Sequence, residues 1–291
     1  MTRAHAATAP VPALNSFGAL LRYWRAKRGL SQLELAGDSA ISQRHLSFLE
    51  SGRSQPSREM VLKLGLVLGI PLRQRNLMLT AAGFATAYTE RNLSDPELRE
   101  VKQALDFMLA QQEPYPAIVV DRLWNLVMAN AAAGRMLQWL AGAPAGSVPA
   151  APGEEVNVIR LLLHPQGLRA KVANWHEVAG DLISWIHREA LGEGPLGPAH
   201  DLLTELLALD GIPPNWRVPN LESRVLPFLP LVLVDQGVKL KLFSTITTLG
   251  TPHDITLHEL RVESFFPADQ ATAEWFRDQA GKVESRVEST G

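Results

Sequence analysis

At 291 residues the chain is long enough for two or three domains with buried cores, and its 46% hydrophobic, 20% charged composition is that of an ordinary globular protein. The absence of cysteine excludes a disulfide framework and any thiolate metal site. A net charge of -2 conceals an asymmetry: residues 1–90 carry 11 Lys and Arg against 5 acidic residues, and residues 91–291 carry 17 against 25, so an anionic partner is expected for the first part only.

The first fifteen residues, rich in Ala and Pro, read as a flexible tail with no signal-type apolar core, and no later segment offers an uninterrupted membrane span. A cytoplasmic protein without membrane insertion is the expectation. Residues 16–90 then read as an all-α domain of five short helices. Phe17, Leu20, Leu21 and Trp24 mark the first. Ser31, followed three residues later by Glu34, makes a capping box for the second, over 32–37. Residues 42–50 form the third helix, 57–68 the fourth and 71–82 the fifth. Gly52 and Gly69 stand where helices close, and Ser57 and Pro71 where they open.

The third helix carries the first functional signal. At about 100° per residue, Leu46 and Leu49 share an inward face, while Gln43, Arg44, Ser47 and Phe48 fall outward. Ser42 is its N-cap, so amide donors of the first turn can meet a phosphate while Gln and Arg reach base edges. Two short helices joined by a turn containing Ala40 and Ile41, the second exposing Gln, Arg and Ser, meet the needs of helix-turn-helix docking. Arg53, just past Gly52, is placed to meet the DNA backbone as it leaves the groove.

Residues 91–104 read as a connecting helix, followed by an α+β domain over 105–280 and a tail over 281–291. "PAIVVD" is a strand, Asp121 and Arg122 a turn, "WNLVMA" a second strand, and Asn130 caps a helix to about Leu140. "AGAPAGSVPAAPGEE" is a surface loop, and helices follow over 172–190 and 198–209. "PLVLVD", "VKLKLFSTITTLG" and "ITLHELRVESFF" are three β-rich runs of an antiparallel sheet, with helices gathered on one side of it.

Three arrangements fit a lined cavity in this domain. Trp124, Leu126, Met128 and Met136 border one wall; Trp175, Ile183, Trp185 and Ile186 give the 172–190 helix a large apolar surface; and Phe243, Thr245 and Thr247 share one strand parity. Arg169 and His176 are candidates for a carboxylate head group. The competing reading is a fully packed sheet–helix core. No HExxH, GxSxG or phosphate-binding GxxxxGK[ST] motif occurs, so neither catalysis, a metal nor a required cofactor is expected. "HDITLHE" is read as strand, which projects His258 and Glu259 to opposite faces.

The run "LRYWRAKRGLSQLELAGDSAISQRHLSFLESGRSQPSREMVLKLGLVLGIPLRQRNLMLTAAGF" resembles the Cro/repressor-type helix-turn-helix domain of the XRE family. That resemblance implies operator DNA as partner, with Gln32 contacting phosphate, Gln43, Arg44 and Ser47 reading bases, Phe48 at a further DNA-facing position, and an Arg25–Glu50 ion pair tying the first helix to the third. "VVDRLWNLVMAN", "LLLHPQGLRAKVANWHEVAGDLI", "LKLFSTITTLGTPHDITLHELRVESFFPAD" and "TAEWF" resemble the MmyB-like regulator ligand-binding domain. This second resemblance implies a PAS-like fold and an apolar ligand such as a fatty acid. Together they imply a transcription regulator, read as a repressor. Because one such unit offers a small contact, and two copies facing major-groove turns about 34 Å apart double it, a homodimer is the expectation. The alternative is an architectural or interaction protein whose larger domain binds no metabolite.

Overall fold

The structure, a computed structural model, describes residues 16–142, 156–193, 197–218, 229–250 and 254–288. The expected N-terminal tail, most of the 141–155 loop, and His253 lie outside the described residues. The chain divides into two compact units, residues 1–90 with 253–255, and residues 91–252 with 256–291.

The first unit is a bundle of α1 (Phe17–Lys27), α2 (Gln32–Asp38), α3 (Gln43–Glu50), α4 (Arg58–Val67) and α5 (Leu72–Ala81). Each of the first four begins on a serine whose side chain accepts from a main-chain N–H three residues on: Ser16, Ser31, Ser42 and Ser57. Ser31 and Glu34 complete the expected capping box. Leu21, Trp24, Leu35, Leu46, Leu49, Leu64, Met78 and Leu79 form the core. The approach of α1 to α3 is close: a Cβ on Gly18 would stand 2.6 Å from the Leu49 carbonyl oxygen. Only glycine permits that packing. The α2–α3 turn is fixed by Ala40 at φ 48 and by the Ile41 N–H donating to the Ala36 carbonyl at 3.0 Å. A left-handed alanine costs energy, and the turn holds it because both neighbours are anchored: Ser39 donates to Leu35 and Ile41 packs on the core.

The second unit is built on a five-stranded antiparallel sheet in the order β2-β1-β5-β4-β3. Its strands are β1 (Ala117–Val120), β2 (Leu126–Ala129), β3 (Leu229–Asp235), β4 (Val238–Thr248) and β5 (Arg261–Pro267). Helices lie on both faces, not on one side as expected. A short 3-10 turn (Pro96–Leu98) leads into α6 (Arg99–Gln111), which sets Leu105 and Leu109 against Ala117, Val119, Leu260 and Val262. The opposite face offers Ile118, Val120, Leu231, Leu233, Leu240, Leu242 and Phe265 to α7 (Ala131–Ala141), α8 (Val158–Leu163), α9 (Trp175–Glu193), α10 (Pro198–Leu207) and α12 (Gln270–Glu288). All four residues of β1 are buried, as befits a strand covered on both sides.

Two further local expectations are corrected. "ITLHE" is a short helix, α11 (Ile255–Glu259), and the strand begins only at Arg261; Asp254, immediately before it, is a residue type that opens helices. Residues 172–174 do not open α9. Val172 bridges Leu233, the Ala173 N–H donates to the Val232 carbonyl at 2.7 Å, and Asn174 exchanges hydrogen bonds with Pro230 and Val232. These bonds cover the free edge of β3, which otherwise presents unpaired main-chain groups. Finally, α8 was not foreseen, although Asn157 caps it by accepting from the Arg160 N–H at 3.0 Å and Ile159 and Leu163 lie one turn apart.

Candidate nucleic-acid interface and ligand site

On α3 the inward leucines are buried, Leu46 at 0% and Leu49 at 1% exposure, while Ser42, Gln43 and Arg44 are exposed and Ser47 and Phe48 half-buried. Ser42 accepts from the His45 N–H at 3.1 Å, which orients the first turn. The Arg44 guanidinium lies 5.4 Å from the Phe48 ring centroid, one turn along, so the aromatic face props the cation on the open side of the helix. Gly52 closes the helix at φ 72, and Arg53, exposed, follows it.

Behind this surface lies a clamp. Glu50 is 4% exposed and accepts from Arg25 Nε at 2.5 Å, Arg25 Nη2 at 3.1 Å and Gln32 Nε2 at 2.7 Å. One carboxylate thereby ties α1 and α2 to the end of α3. Burial pushes the Glu50 carboxyl upward, but the hydrogen bonds from Arg25 and Gln32 outweigh it and hold the group below its ordinary value. The bond to Glu50 raises the Arg25 guanidinium correspondingly. The resemblance implies a phosphate contact for Gln32. Its amide nitrogen also buttresses Glu50, and Arg22, not foreseen, donates to the Glu50 carbonyl at 3.0 Å.

In the second unit the candidate ligand residues divide. Trp124, Met136, Trp175 and Ile183 share one core between the sheet and α9. Met128 does not join them: it packs with Leu105 and Val119 on the opposite face. The cause is a register shift between Val119 and Val120, which pairs Val119 with Met128 but Val120 with Leu126. One extra residue in β2 thus separates Leu126 from Met128. Phe243 stacks on Phe266 at 5.3 Å, on the parity opposite to Leu240 and Leu242, and Thr245 and Thr247 follow that parity. The Arg169 guanidinium lies 3.8 Å from the Trp175 ring centroid and donates to the carbonyls of Asp210 and Gly211, so main-chain oxygens occupy the donors expected to meet a head group.

The polar group on the inner sheet face is one that sequence reasoning missed. Glu263, 3% exposed, stands between Ile118 of β1 and Ile246 of β4, with a hydrogen bond to the Ser244 side chain. Burial pushes its carboxyl up to about 7. In the same core Trp124, at φ 66, and Trp185 meet edge to face at 5.8 Å, and neither indole Nε1 has a hydrogen-bond partner among the described residues. A folded-state value above the unfolded one means that the folded unit binds the extra proton, so its stability falls as pH rises from about 4.3, the unfolded value, through about 7. Glu263→Gln should therefore flatten the dependence of unit melting between these pH values and raise the melting temperature at pH 8. Parallel melting curves for the two proteins at pH 5 and pH 8 would exclude this assignment.

A cleft of about 300 Å³ opens between the polar side of α9 and the 3-10 turn Pro214–Arg217. His176, Glu177, Gly180, Asp181, Ile183, Ser184 and His187 line it from α9, and Asn215, Trp216 and Val218 from the other side. His187 Nε2 lies 2.8 Å from the Trp216 carbonyl oxygen, which anchors the turn, and the Trp216 indole lies over Gly180. Burial raises the Asp181 carboxyl, and the negative charge of Glu177 raises it further. Among the described residues no three His, Cys, Asp or Glu gather to hold a metal ion, and no helix is long and apolar enough to cross a membrane.

Comparison with known proteins gives two family matches. Residues 21–74 match a helix-turn-helix family, and residues 101–278 match the family described as "MmyB-like transcription regulator ligand binding domain". Both are DNA-binding or regulatory families and not catalytic ones. Among solved structures the chain is similar to the PAS domain of BvgS from Bordetella pertussis, at 16% identity over 63% of this chain and 98% of that one, with a TM-score of 0.26. It is also similar to an RNA-binding light-oxygen-voltage receptor, at 12% identity over 99% of this chain and 69% of that one, with a TM-score of 0.27. Scores this low carry no inference about either unit. No curated protein matches the chain.

Proposed function

The chain belongs to the MmyB-like transcription regulators, and from that premise we propose that it is a sequence-specific repressor whose second unit senses a small apolar or amphipathic ligand. In this reading α3 enters the major groove, with Gln43, Arg44 and Ser47 at base edges and Phe48 near a thymine methyl. Ser42, Gln32 and Arg53 meet the phosphates, contacts that fix register and carry no sequence information. The observation that supports this most is the Glu50 clamp, because it locks the helix that exposes Gln43 and Arg44 against both its neighbours. A homodimer in the cytoplasm, with two such helices about 34 Å apart on a pseudo-palindrome, doubles a contact that is small for one unit.

The 2-1-5-4-3 sheet order supports a PAS-like reading of the second unit. The layer holding Trp124, Met136, Trp175 and Ile183 is the proposed seat of an acyl chain such as a fatty acid's, and Glu263 and Ser244 are polar groups on the sheet face lining that layer. Such a ligand changes DNA affinity only if it binds the DNA-competent and incompetent arrangements unequally. The second reading, an architectural or interaction protein, draws on the same core: its buried residues are no more than 7% exposed. Selection from random duplexes with the purified chain is expected to enrich a motif of two inverted half-sites. Enrichment of nothing would remove the regulator reading. Mass spectrometry of compounds retained after incubation with a lipid extract separates the two roles of the second unit, since the architectural reading retains none.

A further inference from the structure

The cleft on the polar side of α9 has a chemistry unlike the apolar core. Its two carboxylates, Glu177 and Asp181, lie one helical turn apart, a spacing at which like charges repel. Among the described residues no Lys or Arg lines the cleft to neutralise them. Asn174 donates to Glu177 at 3.0 Å, and the attraction of Arg188 for Asp181 is smaller than the effects of burial and of Glu177. Facing this pair is the Trp216 indole, held by His187 through its own carbonyl and backed by Trp175, whose ring centroid is 5.8 Å away. A carboxylate pair opposite an aromatic face attracts cations, since the ring quadrupole and the two charges act in the same direction.

We infer that this cleft binds a small organic cation, a short aliphatic diamine, with Glu177 and Asp181 as counter-charges and Trp216 as the apolar platform. The one-turn spacing of the two carboxylates on α9 suits two ammonium groups joined by a short chain, and a volume of about 300 Å³ suits a molecule of few carbons. An ammonium also removes the repulsion that lifts the Asp181 carboxyl. A fatty-acid carboxylate meets like charge here and is rejected. A divalent metal lacks the ligand set: among the described residues no three suitable groups come together, and His187 Nε2 is already engaged with Trp216. The site adjoins the acyl-chain layer proposed above, with which it shares Ile183, but its charge is opposite to a fatty acid's needs and its ligand class does not depend on that reading.

Isothermal calorimetry of the full chain with 1,4-diaminobutane, in the absence of DNA, tests it. A saturable heat with one site per chain is expected, whereas 1-butanol and hexanoate should give none. The Glu177→Gln/Asp181→Asn double variant should bind about tenfold more weakly, because both counter-charges are lost. Absence of saturable binding overturns the inference, as does equal binding of the diamine by the double variant. Should that variant fail to fold by circular dichroism, the comparison on the unaltered chain decides: butylamine binding no better than 1-butanol overturns it as well. Failure on any arm leaves the duplex-selection result untouched.

Discussion

Replacing Arg44 with alanine is expected to lower affinity for the selected duplex by about 5- to 150-fold, the range of roughly 1–3 kcal/mol for a bidentate arginine–guanine contact. Affinity for unrelated duplex should change little. The expectation rests on geometry: Arg44 is exposed on α3, and its guanidinium lies 5.4 Å from the Phe48 ring, aimed away from the buried leucines. Binding is to be measured by electrophoretic titration against the selected site and against single base-pair changes in it. The diagnostic is positional. Arg44→Ala should make one base pair indifferent and leave the others discriminated, whereas loss of a phosphate contact weakens all sequences alike. An unchanged footprint and an unchanged preference would exclude Arg44 from base reading. Gln32→Ala is a less clean comparison than its position suggested, because its amide also supports Glu50.

What the sequence made legible, and what it did not, follows from the range of the interactions. The outward set on α3 was readable because a helix repeats every 3.6 residues and Leu46 and Leu49 fix its phase. Ser31 with Glu34, and Asn130 ahead of α7, were readable because caps are local. Met128 was misplaced because a strand's parity survives only without an extra residue, and nothing in "WNLVMA" marks the bulge that turns it from Leu126. Residues 172–174 were drawn out of α9 by the open edge of β3, more than fifty residues away in sequence. His176 was chosen as a partner for a carboxylate, yet it lines a cleft with Glu177 and Asp181. Trp216, some forty residues on, completes that cleft through tertiary packing alone.

Glu50→Ala should have the larger effect on stability. Its carboxylate accepts three hydrogen bonds from two helices, at 1% side-chain exposure against 16% for Arg25. Removing it leaves a largely buried guanidinium without its counter-charge, a change that costs about 3–5 kcal/mol. That is a large part of the roughly 5–15 kcal/mol that holds a small domain folded. Calorimetric unfolding of the variant should show the transition of the first unit shifted strongly downward and that of the second unit unmoved. The pair itself adds little net stability, since desolvation offsets much of the attraction; its effect is on orientation. Arg25→Ala/Glu50→Ala should therefore be less damaging than the two single losses added together, a coupling that a double-mutant cycle measures. Acid gives an independent check. Because Glu50 is held below its ordinary value, its contribution is complete above about 4.3, the unfolded value, and is lost as pH falls through the lower folded one. Wild type should lose stability faster than Glu50→Ala over that window. A variant whose first transition stays in place would mean that α3 is oriented by its leucines alone. The polar surface of α3 would then have no anchor in Glu50, and the observation that best supports DNA reading would be gone.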